Sequence, residues 1–210
     1  PLATGVVLRY DTTHDFEDPD SWTWFDGKPL GMMDSVGAVY DGRFIYFAKY
    51  GEGPMVRFDT EQPFEDSGSW QVSQAPDALG IGSDGFDGGF FDGRYVCFVP
   101  WKSWGGDQQS GYHCNWLRYD TRGAFEETGS WAVTGASDTD GLYSVGFNAG
   151  AFDGRFYYGA PLYDGRGDRF HGKVLRCDTL GASGTFSLRY VDYGHNGGLC
   201  AAVPGPSFLV

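Results

Sequence analysis

The stretch GGFFDGRYVCF, Gly88 to Phe98, decides the fold, because the chain repeats it. GAVYDGRFIYF (Gly37 to Phe47) and AGAFDGRFYYG (Ala149 to Gly159) are close copies, and LCAAVPGPSFLV (Leu199 to Val210) is a degenerate fourth. Each reads as a strand of small apolar residues, an Asp-Gly turn, and an aromatic, β-branched strand. Asp-Gly between alternating apolar runs is a strong hairpin signal and predicts a type I′ turn with positive φ at both central residues. Working outward, each hairpin has an Arg-x-Asp-Thr partner: LRYDT at Leu8, VRFDT at Val56, LRYDT at Leu117 and LRCDT at Leu175. A third motif comes after that one: Ser21-Trp22, Ser69-Trp70 and Ser130-Trp131, with Phe186-Ser187 in the fourth place.

The motifs form a cycle of four strands. Strand A precedes Asp-Gly, B follows it, C carries Arg-x-Asp-Thr and D carries Ser-Trp. Asp41 and Asp92 are 51 residues apart and Asp92 and Asp153 are 61 apart, a spacing in the range of four-stranded propeller blades. The chain opens on a C and a D strand and closes on an A and a B strand. Complementary half-blades at the two ends predict a closed ring, which removes the open sheet edge. The expected fold is therefore all-β and a single domain: a four-bladed β-propeller of sixteen strands. Blade 1 spans 35–74, blade 2 spans 86–134 and blade 3 spans 147–192. Blade 4 is assembled from 5–25 and 197–210.

Composition agrees with this and narrows function. The 210 residues include 34 glycines and 18% aromatic residues, which suits a turn-dense β protein. A formal net charge of −13 argues against nucleic acid as a partner, since phosphate binding needs clustered Lys and Arg, and leaves room for a cation or a cationic ligand. No run approaches the roughly 20 apolar residues of a membrane helix, so no membrane partner is expected. No basic-then-apolar leader opens the sequence, so a cytoplasmic protein is expected, or a secreted one if the N-terminus has been processed. Monomer or small homo-oligomer is the expected assembly. Cys97, Cys114, Cys177 and Cys200 lack Cys-x-x-Cys spacing; most read as core residues, and pairing of Cys97 with Cys114 on neighbouring strands is left open.

The repeats resemble a family of tandem bacterial propeller sequences whose units read much like FDGRYVYFVPY, then HG, then VLRYDT and an acidic, phenylalanine-containing link to SW. The likeness covers nearly the whole chain. It implies the propeller fold and, because that family carries no established activity, no reaction. A looser likeness of layout is to hemopexin-like four-bladed domains, which hold ions in their central channel; this chain lacks their terminal cysteine pair.

Repetition separates scaffold from site. The turn aspartates and their arginines, the Arg-x-Asp-Thr strands and the Ser-Trp tryptophans recur and are read as structural. The D-A and B-C loops differ between blades, and they share one face. On that face the first position of strand A reads Val36, Asp87, Asn148 and Gly198, and three residues earlier Met33, Asp84, Val145 and His195. Asp34, Asp87, Asn148 and His195 are candidate ligands for a divalent metal, Ca²⁺ or Zn²⁺/Mn²⁺, in the central channel. Before strand C stand Thr4, Glu52, His113 and His171. The two histidines are candidate acid/base groups with Asp84, Asp87 and His195, although their recurrence also fits a role within each blade. Tyr50, Trp101, Trp104, Tyr112, Asn148, Tyr163, Arg169 and Tyr193 form a candidate binding surface for a small polar or carbohydrate ligand, rings to stack on beside polar edges. Three functions follow: a hydrolase or lyase, with or without metal; a glycan or small-ligand binder of the lectin kind; and a protein-interaction scaffold using the aromatic Trp101 to Tyr112 loop.

Overall fold

A computed structural model describes residues 4–80, 84–103, 111–139, 142–143, 145–165, 170–180 and 187–192, the last stretch as backbone. The fold is all-β, built from antiparallel sheets. A two-stranded sheet comes first, β1 (Val6–Tyr10) with β2 (Trp22–Asp26). A four-stranded meander follows: β3 (Ser35–Tyr40), β4 (Phe44–Lys49), β5 (Met55–Asp59) and β6 (Trp70–Ser73). The second meander is β7 (Phe86–Phe91), β8 (Tyr95–Pro100), β9 (Asn115–Asp120) and β10 (Trp131–Gly135). A small ladder not foreseen from the sequence, β11 (Asp138–Thr139) with β12 (Leu142–Tyr143), comes next. The third meander is β13 (Phe147–Phe152), β14 (Phe156–Pro161), β15 (Lys173–Asp178) and β16 (Ser187–Asp192). The first strands of the three meanders, β3, β7 and β13, pack side by side in chain order. Among the described residues no helix is long and apolar enough to cross a membrane. Residues 197–210 lie outside those described.

Each four-stranded meander is tied by one repeated knot. Asp41 Oδ1 accepts the Arg43 and Phe44 amides at 2.8 and 2.7 Å, closing the first hairpin. Arg43 then reaches β5, donating from Nη2 to Asp59 Oδ2 at 2.7 Å and from Nε to Oδ1 at 3.2 Å. Thr60 completes the knot, its hydroxyl donating to the Arg43 carbonyl at 2.6 Å. Arg94 with Asp120 and Thr121, and Arg155 with Asp178 and Thr179, repeat the arrangement. The type I′ expectation is corrected here. Gly42, Gly93 and Gly154 have φ of 106, 99 and 99°, but the aspartates do not have positive φ. The aspartate carboxylate caps two amides itself, so only the glycine enters the left-handed region.

The other recurrent residues close loops and seams. Trp70 and Trp131 Nε1 donate to the Phe64 and Phe125 carbonyls, both at 2.9 Å, which turns each C-D link into a plug. Phe64 and Phe125 are buried, while their counterpart Phe16 is 64% exposed and packs on Tyr10 and Trp22. Arg57 lies between two sheets, its guanidinium 4.1 Å from the Phe44 ring centre and 4.4 Å from that of Phe125. Arg9 sits in the same way over Phe64, at 4.5 Å. Three apolar clusters fill the spaces between successive sheets, and Cys97, Cys114 and Cys177 are buried there as free thiols, so Cys97 and Cys114 are not paired.

Every first strand also carries a bulge, between Ser35 and Ala38, Phe86 and Gly89, and Phe147 and Gly150. Its central residue is left-handed: Gly37 at φ 73°, Gly88 at 67° and Ala149 at 55°. A Cβ on Gly37 would come within 2.7 Å of the Gly88 Cα, so the β3–β7 seam requires glycine there. Ala149 bears the left-handed strain without that relief. Gly37→Ala should destabilise the protein by at least ~1–2 kcal/mol, the left-handed penalty before any clash. Ala149→Gly should be neutral to stabilising by about 0.5 kcal/mol, that penalty less the entropy of glycine. Urea unfolding of the two variants measures both.

Candidate functional site

A chain of backbone hydrogen bonds crosses the D-A and B-C loops. Tyr50 N–H donates to the Asp34 carbonyl at 3.0 Å, and Gly85 N–H to the Tyr50 carbonyl at 2.9 Å. Trp101 donates to Gly85 at 2.7 Å, His113 to Trp101 at 3.2 Å and Gly146 to His113 at 3.3 Å. Leu162 donates to Gly146 at 3.2 Å and His171 to Leu162 at 3.1 Å. This belt joins the three meanders along one end. It needs close backbone approach: a Cβ on Gly85 would strike the Lys102 carbonyl, and one on Gly146 the Tyr163 carbonyl.

His113 and His171 are clips on this belt. His113 Nε2 donates to the Gly85 carbonyl at 3.1 Å, and its Nδ1 accepts the Asn115 amide at 3.3 Å. His171 Nε2 donates to the Val145 carbonyl at 2.9 Å, and its Nδ1 accepts the Lys173 amide at 3.3 Å. A carbonyl only accepts and an amide only donates, so both rings are neutral with the proton on Nε2. Burial lowers the pKa of each, against the opposing pull of those carbonyls. In the same row Thr4 Oγ1 accepts the Val6 amide at 3.3 Å, the same i to i+2 bond in another residue type. Glu52 is exposed and is followed two residues later by Pro54, which has no amide to donate. With both ring nitrogens committed to backbone, the pair has nothing left for acid/base work in this state.

Four of the expected binding residues come together as a row. Trp101 Nε1 donates to the Tyr50 hydroxyl at 3.2 Å. The Trp101 and Tyr112 rings meet edge to face at 5.0 Å, and Tyr112 meets Tyr163 in the same way at 5.1 Å. Tyr163 leads to Phe170 at 6.0 Å, which is 65% exposed, and the Lys102 ammonium lies 5.4 Å from the Tyr112 ring centre. All four named residues are partly exposed. The other expected binders Trp104, Arg169 and Tyr193 lie outside the described residues, as does His195.

The carboxylates are held differently from one another. Asp84 is buried and accepts the Ser103 hydroxyl at 2.7 Å. Asp34 fills the space a side chain on Gly51 would need, and Asn148 is exposed on its bulge. Asp87 is 8% exposed and makes no hydrogen bond or ion pair with any described residue; burial alone raises its pKa. Among the described residues no group of three or more His, Cys, Asp or Glu side chains is gathered to hold a metal ion. The expected set of Asp34, Asp87 and Asn148 would have to be completed by His195.

One residue was overlooked. Tyr157 occupies a row that otherwise reads Ile45 and Val96, and its ring stacks on Phe90 at 4.4 Å. The hydroxyl is buried without a hydrogen-bond partner among the described residues. It lies where a side chain on Gly150 would be, and the charge of Asp87, after burial, pushes its pKa up. A phenol in a β-branched row was the signal available. No family model matches the chain, and no curated protein matches it.

The histidine clips set a pH dependence. Their folded pKa values lie below the ordinary 6.5, so the unfolded chain takes up protons first as pH falls. Their contribution is complete above about pH 6.5 and lost progressively below it. The thermal unfolding midpoint should therefore drop between about pH 7 and 5. His113→Gln/His171→Gln should flatten that slope while lowering stability at pH 7 by ~1–3 kcal/mol per lost clip. Calorimetry across this pH range reads both effects.

Proposed function

We propose that the chain is a four-bladed β-propeller that binds a small polar, carbohydrate-like ligand on the D-A/B-C loop face. The propeller reading is supported by three four-stranded meanders whose first strands pack in order, with β1 and β2 matching the C and D strands of a fourth. Residues 197–210 would supply its A and B strands. The binding reading is carried by the row of Tyr50, Trp101, Tyr112 and Tyr163 running over the belt that also bears Asp87's strand. Partly exposed rings give a sugar's apolar face something to stack on, and Asp87, with no hydrogen bond or ion pair among the described residues, adds an acceptor on the same face. Rigid backbone beneath them lowers the ordering cost of binding. Nucleic acid is not a fitting partner for so acidic a chain.

A hydrolase or lyase is the second reading, and one observation favours it. Desolvation moves Asp87 toward the range where a carboxylic acid can act as a proton donor near neutral pH. It would need a second group, for which Asp84 is the nearest described carboxylate in sequence.

Binding is tested by titrating intrinsic tryptophan fluorescence with a panel of neutral mono- and oligosaccharides. Saturable quenching is expected, weakened roughly tenfold, about 1.4 kcal/mol, by Trp101→Ala. A panel without saturable binding overturns the carbohydrate reading. Release of reducing sugar from the oligosaccharides, abolished in Asp87→Asn, would establish the enzyme instead.

A further inference from the structure

The aromatic row on the loop face runs without a break across three sheets. Each meander contributes from its B-C loop: Tyr50 from the first, Trp101 and Tyr112 from the second, Tyr163 and Phe170 from the third. Both seams are bridged, the first by Trp101 Nε1 donating to the Tyr50 hydroxyl at 3.2 Å, the second by the Tyr112 and Tyr163 rings at 5.1 Å. Within the loops Trp101 lies 5.0 Å from Tyr112 and Tyr163 lies 6.0 Å from Phe170, so the step from ring to ring hardly changes. Isolated backbone bridges pinch the two longer loops at matching places, setting Lys102 opposite Tyr112 and Tyr163 opposite Phe170. Phe170 ends the row at 65% exposure. Single exposed rings are ordinary on a protein surface, but a contiguous line of them marks a binding surface.

The shape of the row selects among ligands. From Trp101 onward each ring is turned across its neighbour, by 85°, 73° and 64°, so faces and edges alternate along it. A planar ligand that stacks needs parallel faces and meets only one ring here. A pyranose chain is itself corrugated, with apolar C–H faces and hydroxyl edges recurring once per unit, and the ring-to-ring step is close to the length of one unit in an extended chain. A tyrosine or tryptophan answers both parts of such a unit, offering an apolar face and a polar tip. One sugar covers one ring and leaves the others wet, so the gain from buried apolar area accumulates only along a chain. The net charge of −13 repels an anionic chain, which leaves a neutral one.

We propose that the row is a track for an extended, neutral oligosaccharide, its successive units lying on successive rings from Trp101 to Phe170. The inference rests on the carbohydrate-binding reading and adds the ligand's polymeric form to it. Each added unit gains a ring of its own, so affinity rises with chain length up to about four units, one per ring, and then levels off. The belt fixes the spacing of the rings, because Trp101, Leu162, His113 and His171, in or beside the row, are all hydrogen-bonded in it. A track built in advance costs little ordering when it is filled.

The test is calorimetric titration of the whole chain with β-1,4-linked gluco-, manno- and xylo-oligosaccharides, each as a series from one unit to six. The expected result is at least one series whose affinity rises about three- to tenfold with each unit up to about four and is flat beyond. Phe170→Ala removes the last ring from an exposed position, where truncation should leave the thermal midpoint in place. In that variant the plateau should arrive one unit earlier, and the four-unit chain should bind about three- to tenfold more weakly. Affinity that does not depend on length, or a four-unit affinity unchanged in Phe170→Ala, overturns the track and leaves the carbohydrate reading standing. Binding of some other saccharide, with no response from any of the three series, does the same. A protein that binds no saccharide at all overturns both.

Discussion

The bidentate pairing of a turn arginine with the aspartate of the third strand is the contact on which the sheets depend. Arg43 with Asp59, Arg94 with Asp120 and Arg155 with Asp178 each join a hairpin to the strand that follows the B-C loop, which is short in the first meander and longer in the other two. Strand register in a sheet is a two-state matter, since a slip of one residue exchanges the buried face for the solvent face. A planar guanidinium meeting both carboxylate oxygens tolerates no such slip. The aspartates are correspondingly held below the usual carboxylate range, chiefly by hydrogen bonds from those arginines. With register secured at one end of the sheet, the loops at the other end are free to differ.

That division explains what could be read from the residues alone. The knot is local and repeated, so Asp-Gly-Arg and Arg-x-Asp-Thr announced the hairpins and their third strands in the three meanders. The turn type was misjudged, because pattern rules describe backbone angles while Asp41, Asp92 and Asp153 solve the turn with their side chains. The site was legible only by subtraction. Divergent loop positions picked out Tyr50, Trp101, Tyr112 and Tyr163, which the fold does bring into one row. The same subtraction raised His113 and His171, whose partners are backbone carbonyls and amides and so leave no trace in side-chain identity. Tyr157 escaped because hydrophobic periodicity treats a phenol in a core row as another apolar residue, and its hydroxyl matters only once Gly150 and Asp87 are known to be beside it.

The two histidines and the Tyr157 hydroxyl show opposite uses of burial. At His113 and His171 both ring nitrogens are met by backbone groups, and the result is stiffness. At Tyr157 the hydroxyl is dry and has no hydrogen-bond partner among the described residues, and the knots and apolar clusters supply the stability that lets it persist. Stability supplied in one part of a structure is what allows an unsatisfied group to persist in another.

The backbone belt has a mechanical meaning. Its seven hydrogen bonds run in one sense, each residue accepting from the next, from Asp34 to His171. The loops of three sheets are therefore links in one strap, and no link moves without straining those on either side. Deformation introduced at any point spreads along its length instead of being absorbed where it arises. A ligand that tightened one link would quiet the fluctuations of the others, and two occupants of distant loops would sense each other through lost motion alone, with no change of shape.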